Sequence, residues 1–336
     1  MTEGRALMLS PSTESLQTPI TGRVAVSLLC IALSAFFVDA YFFEGRLVVI
    51  DASVLGFALI GMLSLWHEPV RLRPLSLTTV LPAITGAAIG HALMTRGALH
   101  PALAGSLAGA ACCALPRLGL RQATAWLAPF YVGVFAGTSA AVILHGAGWV
   151  LLAGLMAGVL WCVLPDAWSG IGGKMGLTGF MSATTMVLTS ELAFGNHPPA
   201  LPMQAVDLGH ELAIPICALA AVSTRWLAVR WQWSGVAASA LPTALVGTAL
   251  FSLENPLAGP LTAAWYGGSF IGMTQTSRLP SLVALGLTAI IFGVVLLRLQ
   301  STLVGWGGVL GSTACTCVLA SLGLRAALLR LRPATP

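Results

Sequence analysis

The sequence predicts an all-α polytopic membrane protein of about twelve transmembrane segments, with two N-terminal helices and an inverted internal repeat of five plus five. Three observations carry that expectation. Hydrophobic residues make up 57% of the 336 residues, charged residues only 8%, and the mean hydropathy is +0.89; an ordinary soluble domain carries about 25% charged residues. Tyr131, Gly133, Phe135 and Gly137 (YVGVFAG) return 135 positions later as Tyr266, Gly268, Phe270 and Gly272 (YGGSFIG). At the same offset Gly172, Gly173, Gly176 and Thr178 (GGKMGLT) return as Gly307, Gly308, Gly311 and Thr313 (GGVLGST). Two separated motifs with one offset point to a duplicated unit.

The elements follow in chain order. Residues 1–21 are polar and rich in Ser, Thr and Pro, and read as a disordered cytoplasmic tail with no separable signal peptide. A bilayer core needs about 20 apolar residues of helix. By that measure segments fall at 22–44 and 47–66, the N-terminal pair within 22–75. Repeat 1 (76–192) holds 76–95, 98–115, 122–144, 147–165 and 168–190. An outer loop, 193–208, leads to repeat 2 (209–326), with segments 209–229, 233–252, 258–276, 279–298 and 303–324, and a cytoplasmic tail at 327–336.

Charge placement orients these segments. With a cytoplasmic N-terminus, Arg5, Arg23, Arg71, Arg73, Arg117, Arg121, Arg225, Arg230, Arg278, Arg325, Arg330 and Arg332 fall inside, and only Arg46, Arg96 and Arg298 outside. Twelve against three is a positive-inside bias, so both termini are expected in the cytoplasm and the protein in the cell inner membrane. Five crossings separate the two Tyr-Gly-x-Phe motifs. An odd number makes the copies run in opposite directions, the arrangement that places solute sites at the midplane of transporters.

Those motifs begin eight or nine residues into their segments, near the bilayer centre. Dense glycine weakens a helix, and freed backbone groups must then face a cavity, water or ligand; the same glycines also suit close helix packing. The expected solute-binding set is Tyr131, Gly133, Phe135, Gly137, Gly172, Gly173, Lys174, Tyr266, Gly268, Ser269, Phe270, Gly272, Gly307, Gly308 and Thr313. Lys174 is the chain's only lysine, inside Gly-Gly-Lys-Met-Gly, and its counterpart is Val309. An ionisable group within a span is a functional candidate, with a snorkelling anchor as the alternative. Beside exposed backbone N–H groups it suits an anion or a carbonyl.

Asp39 and Asp51 are candidate coupling-ion residues, and Arg46 between them offers a structural ion pair instead. His91 and His100 flank an outer turn as interfacial hydrogen-bonding residues. Glu191, His197, Asp207, His210 and Glu211 lack a recognised metal-ligand spacing, so no metal and no cofactor is expected. The seven cysteines all fall in apolar segments and read as small packing residues. A net charge of +5 and a pI of 9.0 come from scattered arginines with no basic stripe, which excludes a nucleic-acid partner. No phosphate-cradling loop and no Ser/His/Asp arrangement is present, so an enzyme is not expected.

The plan of two inverted five-helix halves is similar to that of urea and ammonium channels, and Glu254-Asn255-Pro256-Leu257 resembles an Asn-Pro segment of urea channels. The resemblance covers only the plan and those loop residues, and no site residue is carried over from it. The expected function is therefore a channel or secondary transporter whose partners are a small anionic or carbonyl-bearing solute and the bilayer, with homo-oligomerisation compatible. Two alternatives stand beside it: a membrane subunit of an electron-transfer complex, for which Ser182-Ala183-Thr184-Thr185 is the one candidate flavin-attachment stretch, and a membrane enzyme acting on lipid or polyprenyl carriers.

Overall fold

The computed structural model describes residues 49–65, 68, 72–195, 211–299 and 303–331, among which every regular element is helical. In chain order they are α1 (Val49–Ser64), α2 (Leu77–Thr95), α3 (Pro101–Ala114), α4 (Ala123–Gly137), α5 (Ala141–Leu144) and α6 (Ala147–Val163). There follow α7 (Lys174–Phe194), α8 (Ala213–Arg230), α9 (Gly235–Ser252), α10 (Ala258–Gly272), α11 (Leu282–Leu299) and α12 (Val309–Leu331). Five of them, α2, α8, α9, α11 and α12, are long and apolar enough to cross a membrane. Their outer faces expose large aliphatic side chains such as Leu77, Leu245 and Val283, which suit lipid rather than water. The protein is a helical membrane protein. The expected segment 22–44 with Asp39, and residues 196–210 with His197, Asp207 and His210, lie outside the described residues, while Asp51 falls within α1.

The interruptions differ from the sequence expectation. Both Tyr-Gly-x-Phe motifs are continuous helix, within α4 and α10. The breaks come just after them and just before α7 and α12. In α4 the chain leaves the helix at Thr138, whose hydroxyl donates to the Phe135 carbonyl, and Ser139 does the same to Ala136. Residues 165–173, expected to lie largely inside a span, are turns, so Lys174 is the first residue of α7 instead of a mid-helix residue. Gly170 and Gly173 have φ of 79° and 82°, and Gly305 and Gly308 have 80° and 78° before α12. These left-handed turns are open to glycine at little cost and strained for most other residues.

The motif glycines stay helical because packing outweighs the roughly 1 kcal/mol that glycine costs in a helix. A Cβ on Gly133 would lie 1.8 Å from the Ala83 carbonyl oxygen, and one on Gly268 would lie 2.4 Å from that of Cys217. Gly137 and Gly272 press likewise on Ala87 and Ala221, so α4 runs parallel to α2, and α10 to α8. Helices α3 and α9 are antiparallel, since Gly109 meets Ala240 and Gly247 meets Leu103. At the centre α7 and α12 cross antiparallel at Gly176 and Gly311. A Cβ on either would lie 2.6 or 2.5 Å from the other's Cα.

Three arginines and their partners cluster at one end of the bundle. Arg278 donates to both Glu68 oxygens and to the Ser169 carbonyl, and Arg73 pairs with Asp166 at 3.3 Å. Arg225, buried, donates to the carbonyls of Gly272, Thr274 and Leu279, closing the C-terminal end of α10 and the turn after it. Six cysteines fall among the described residues and serve packing or backbone contacts; Cys162 bonds to Ser76 N–H and the Pro74 carbonyl, and Cys217 to the Ala264 carbonyl.

The crossing gives a first prediction. Gly176→Leu or Gly311→Leu should lower the thermal unfolding midpoint sharply, with overpacking costing about 1–3 kcal/mol or more. Gly148→Ala and Gly286→Ala, where a Cβ meets open space, should leave it nearly unchanged. Equal midpoints for all four variants in detergent would refute the crossing.

Candidate functional site

Residues separated by 135 positions meet in space. The rings of Tyr131 and Tyr266 lie 6.3 Å apart between centroids, those of Phe135 and Phe270 5.3 Å, and Phe135 also reaches Tyr266 at 5.9 Å. A spacing of four residues puts each Tyr and its Phe on one helix face, and that face is turned to the other copy. All four side chains are buried. Gly105 and Gly109 of α3 make room for the two phenols: a Cβ on Gly105 would lie 3.0 Å from the Tyr266 hydroxyl, and one on Gly109 2.5 Å from the Tyr131 ring. The two phenol hydroxyls lie close to each other, and that of Tyr131 also close to Ser239, but neither has a well-aligned hydrogen bond. Ser269 behind them is satisfied, sharing a proton contact with Ser239 at 2.6 Å and bonding to the Tyr266 carbonyl.

A cavity of about 370 Å³ opens from this cluster toward the end of the bundle away from Arg278. That volume falls in the range of about 300–1,000 Å³ typical of small-molecule sites. Phe135 and Tyr266 lie in its lining with Thr138, His100, Trp306 and the backbone of residues 304–308. Two backbone bonds fix the last wall: Gly307 N–H donates to the Ser139 hydroxyl at 3.0 Å, and Ala140 N–H to the Gly305 carbonyl at 2.7 Å. At the opposite end the same pair of bonds recurs 135 residues displaced. Gly172 N–H donates to the Thr274 hydroxyl at 3.1 Å, and Gln275 N–H to the Gly170 carbonyl at 2.8 Å.

The expected site residues therefore divide. Phe135, Tyr266, Gly307, Gly308 and Thr313 line the cavity, with Tyr131, Ser269 and Phe270 packed behind them. Gly133, Gly137, Gly268 and Gly272 are helix contacts, with their Cα atoms against the backbones of α2 and α8. Gly172, Gly173 and Lys174 lie at the other end, outside the cavity lining. There Lys174 is buried, donates to the Pro165 carbonyl, and sits 4.8 Å above the Trp161 ring.

Three cavity residues escaped sequence reasoning. His100 reads as interfacial, but it caps α3 by accepting from Ala102 N–H at its Nδ1, which leaves Nε2 to carry the proton, and it stands in the cavity lining. Thr138 and Trp306 adjoin the motif glycines Gly137 and Gly307, and that adjacency was their only signal. The Asn255 segment is a turn: its side-chain oxygen accepts from Leu257 N–H at 2.8 Å and starts α10. A wider groove of about 590 Å³ between α2, α3 and α4 is walled by Leu77, Leu81 and Ile89, apolar and open outward, and suits acyl chains.

No protein-family model, curated protein or solved structure matches this chain. The site's chemistry alone carries its functional reading.

The unpartnered hydroxyls yield a second prediction. A buried hydroxyl with no partner costs about 1–3 kcal/mol, so Tyr131→Phe and Tyr266→Phe should each keep or raise the thermal midpoint. A clear fall in both would show that the hydroxyls hold the fold together.

Proposed function

We propose that the protein is a channel or secondary transporter of the inner membrane, for a small anionic or carbonyl-bearing solute. Its two five-helix units, 76–192 and 209–326, are an inverted repeat, and the described helices other than the four-residue α5, with the expected N-terminal segment, make twelve spans. The observation that carries this reading is the cavity of about 370 Å³ that ends on Phe135 and Tyr266, where the two motif copies meet. A cavity reaching the middle of a helical bundle, mostly apolar with a few polar side chains, gives a solute a path that lipid-facing surfaces deny it. Equal helix lengths at the 135-residue offset, 15 residues in both α4 and α10, support the duplication. The antiparallel crossing at Gly176 and Gly311 supports the inversion.

The lining suits a hydrogen-bonding solute. The polar side chains in the lining are Tyr266, His100, Thr138, Thr313 and Trp306, and no Asp, Glu, Lys or Arg is among them. With no charged side chain in the lining an ion of either sign lacks a counter-charge, so recognition rests on hydrogen bonds, which a carbonyl or carboxylate oxygen accepts. On this reading both termini are cytoplasmic and the cavity opens to the opposite side.

Reconstituted protein should move at least one of formate, acetate, nitrate or urea across proteoliposomes faster than empty vesicles do. Tyr266→Phe should slow that flux about tenfold, the effect of losing one hydrogen bond of about 1–1.5 kcal/mol. Thr138→Trp, which fills the cavity, should abolish it. Flux of all four at the rate of empty vesicles, or full flux through Thr138→Trp, would overturn the reading.

Topology is tested separately. Single cysteines at exposed Arg121 and His145, in a cysteine-free background, should react with an impermeant thiol reagent from opposite sides of the membrane. Reaction from one side only would remove the inversion.

A further inference from the structure

The frame repeats every 135 residues, and the cavity of about 370 Å³ lies at one end of it. Applying the offset to the lining of the cavity gives a second wall. Leu296, Leu299 and Leu303 correspond to Trp161, Leu164 and Trp168, and Gly305–Val309 to Gly170–Lys174. Ala140 corresponds to Gln275. The matched backbone bonds, Gly307 to Ser139 with Ala140 to Gly305, and Gly172 to Thr274 with Gln275 to Gly170, show that the two walls share one construction.

The second wall is shut by groups that the first lacks. The Gln275 side chain lies against Gly170, where a Cβ would meet its Oε1 at 2.6 Å. Arg278 straps the 164–173 turn to Glu68, donating at 2.9 Å and 3.1 Å to the Ser169 carbonyl and at 2.6 Å to one Glu68 oxygen. Its counterpart is the buried aliphatic Ile143. At the end of the same turn Lys174 rests on Pro165 and Trp161, and Trp161 is the equivalent of the cavity-lining Leu296.

The shut state also carries two local costs. Trp168 holds φ at 51°, a left-handed conformation strained for a bulky side chain, and its buried indole N–H has no hydrogen-bond partner. An orphan donor and a strained hinge in one turn mark a segment with a second arrangement open to it.

We propose that the turn 164–173 and Lys174 form a second solute half-site, the mate of the open cavity, which accepts a small carboxylate when the Glu68–Arg278–Ser169 strap releases. This rests on the transporter reading above and names its second access state. The ammonium of Lys174 and the indole N–H of Trp168 supply the donors. Asp166, the acid within this turn, is engaged by Arg73. Lys174 thus belongs to the path although it lies outside the open cavity, because it serves the other face.

Lys174 is the chain's only lysine, so an impermeant amine-reactive ester has it and the N-terminal amine as its amine targets. Peptide mass spectrometry then reads acylation of Lys174, with the N-terminus as internal standard. The full-length protein should acylate slowly at Lys174. Glu68→Gln and Arg278→Gln should each acylate about tenfold faster, the population shift that follows loss of a two-pronged charged contact. Millimolar acetate should slow acylation in both variants, and sodium chloride at equal ionic strength should not. Unchanged Lys174 acylation in both folded variants would overturn the strap, and acceleration without acetate protection would overturn the carboxylate half-site. Neither readout involves flux, so the transporter reading stands or falls apart from this one.

Discussion

Contact between the backbones of α7 and α12 at Gly176 and Gly311 is the constraint on which the rest of the structure depends. In a bilayer, lipid tails are as apolar as leucine, so helices gain little by hiding apolar faces from solvent and associate through close packing instead. Side chains at this crossing would separate the helices. The turns that precede α7 and α12 would then lose their hold on opposite ends of the bundle, since Gly173 reaches Cys315 and Gly308 reaches Phe180. The crossing also sets the aromatic pairs, because Tyr131 with Tyr266 and Phe135 with Phe270 meet beside the same centre.

On this common frame the two ends have different chemistry. Arg225 and Arg278 stand at one end where Gly90 and Ile143 stand at the other, and Gln275 stands opposite Ala140. Each arginine bridges carbonyls left open at a helix end or turn, a task that the donor-rich, planar guanidinium performs with little rearrangement. At the other end Thr138 and Ser139 satisfy local carbonyls with short hydroxyls, and space remains. The end with the cavity and the end held by the arginines thus differ in the size and charge of the side chains at positions 135 residues apart.

The aromatic cluster between the ends combines tight packing with unfilled hydrogen-bonding capacity. Rings stacked edge to face exclude bulk water. Phenol hydroxyls without a well-formed bond in such a place are costly to folding, and under the proposed function a solute that reaches Tyr266 from the cavity recovers part of that cost. Under the proposed function, this is how a charge-poor centre recognises a polar solute without a fixed ion to hold it.

Composition and hydropathy by themselves determined that the chain is helical and belongs in a membrane, because a span of backbone in lipid must bond within itself. Most helix positions were legible to within a few residues, and the recurrence at 135 residues picked out the pairs that meet. The placement of the breaks was not legible. Glycine in the Tyr-Gly-x-Phe motifs looks the same whether it unwinds a helix or admits a neighbour, and only the approach of Ala83 and Cys217 decides for packing. Likewise His100 and Arg225 read as boundary residues, since sequence records their distance along the chain and not which wall or carbonyl lies across from them. Tertiary structure alone separated Lys174 from the open cavity: the turn at 165–173 delays α7 until that lysine, and folds its side chain back onto Pro165 and Trp161.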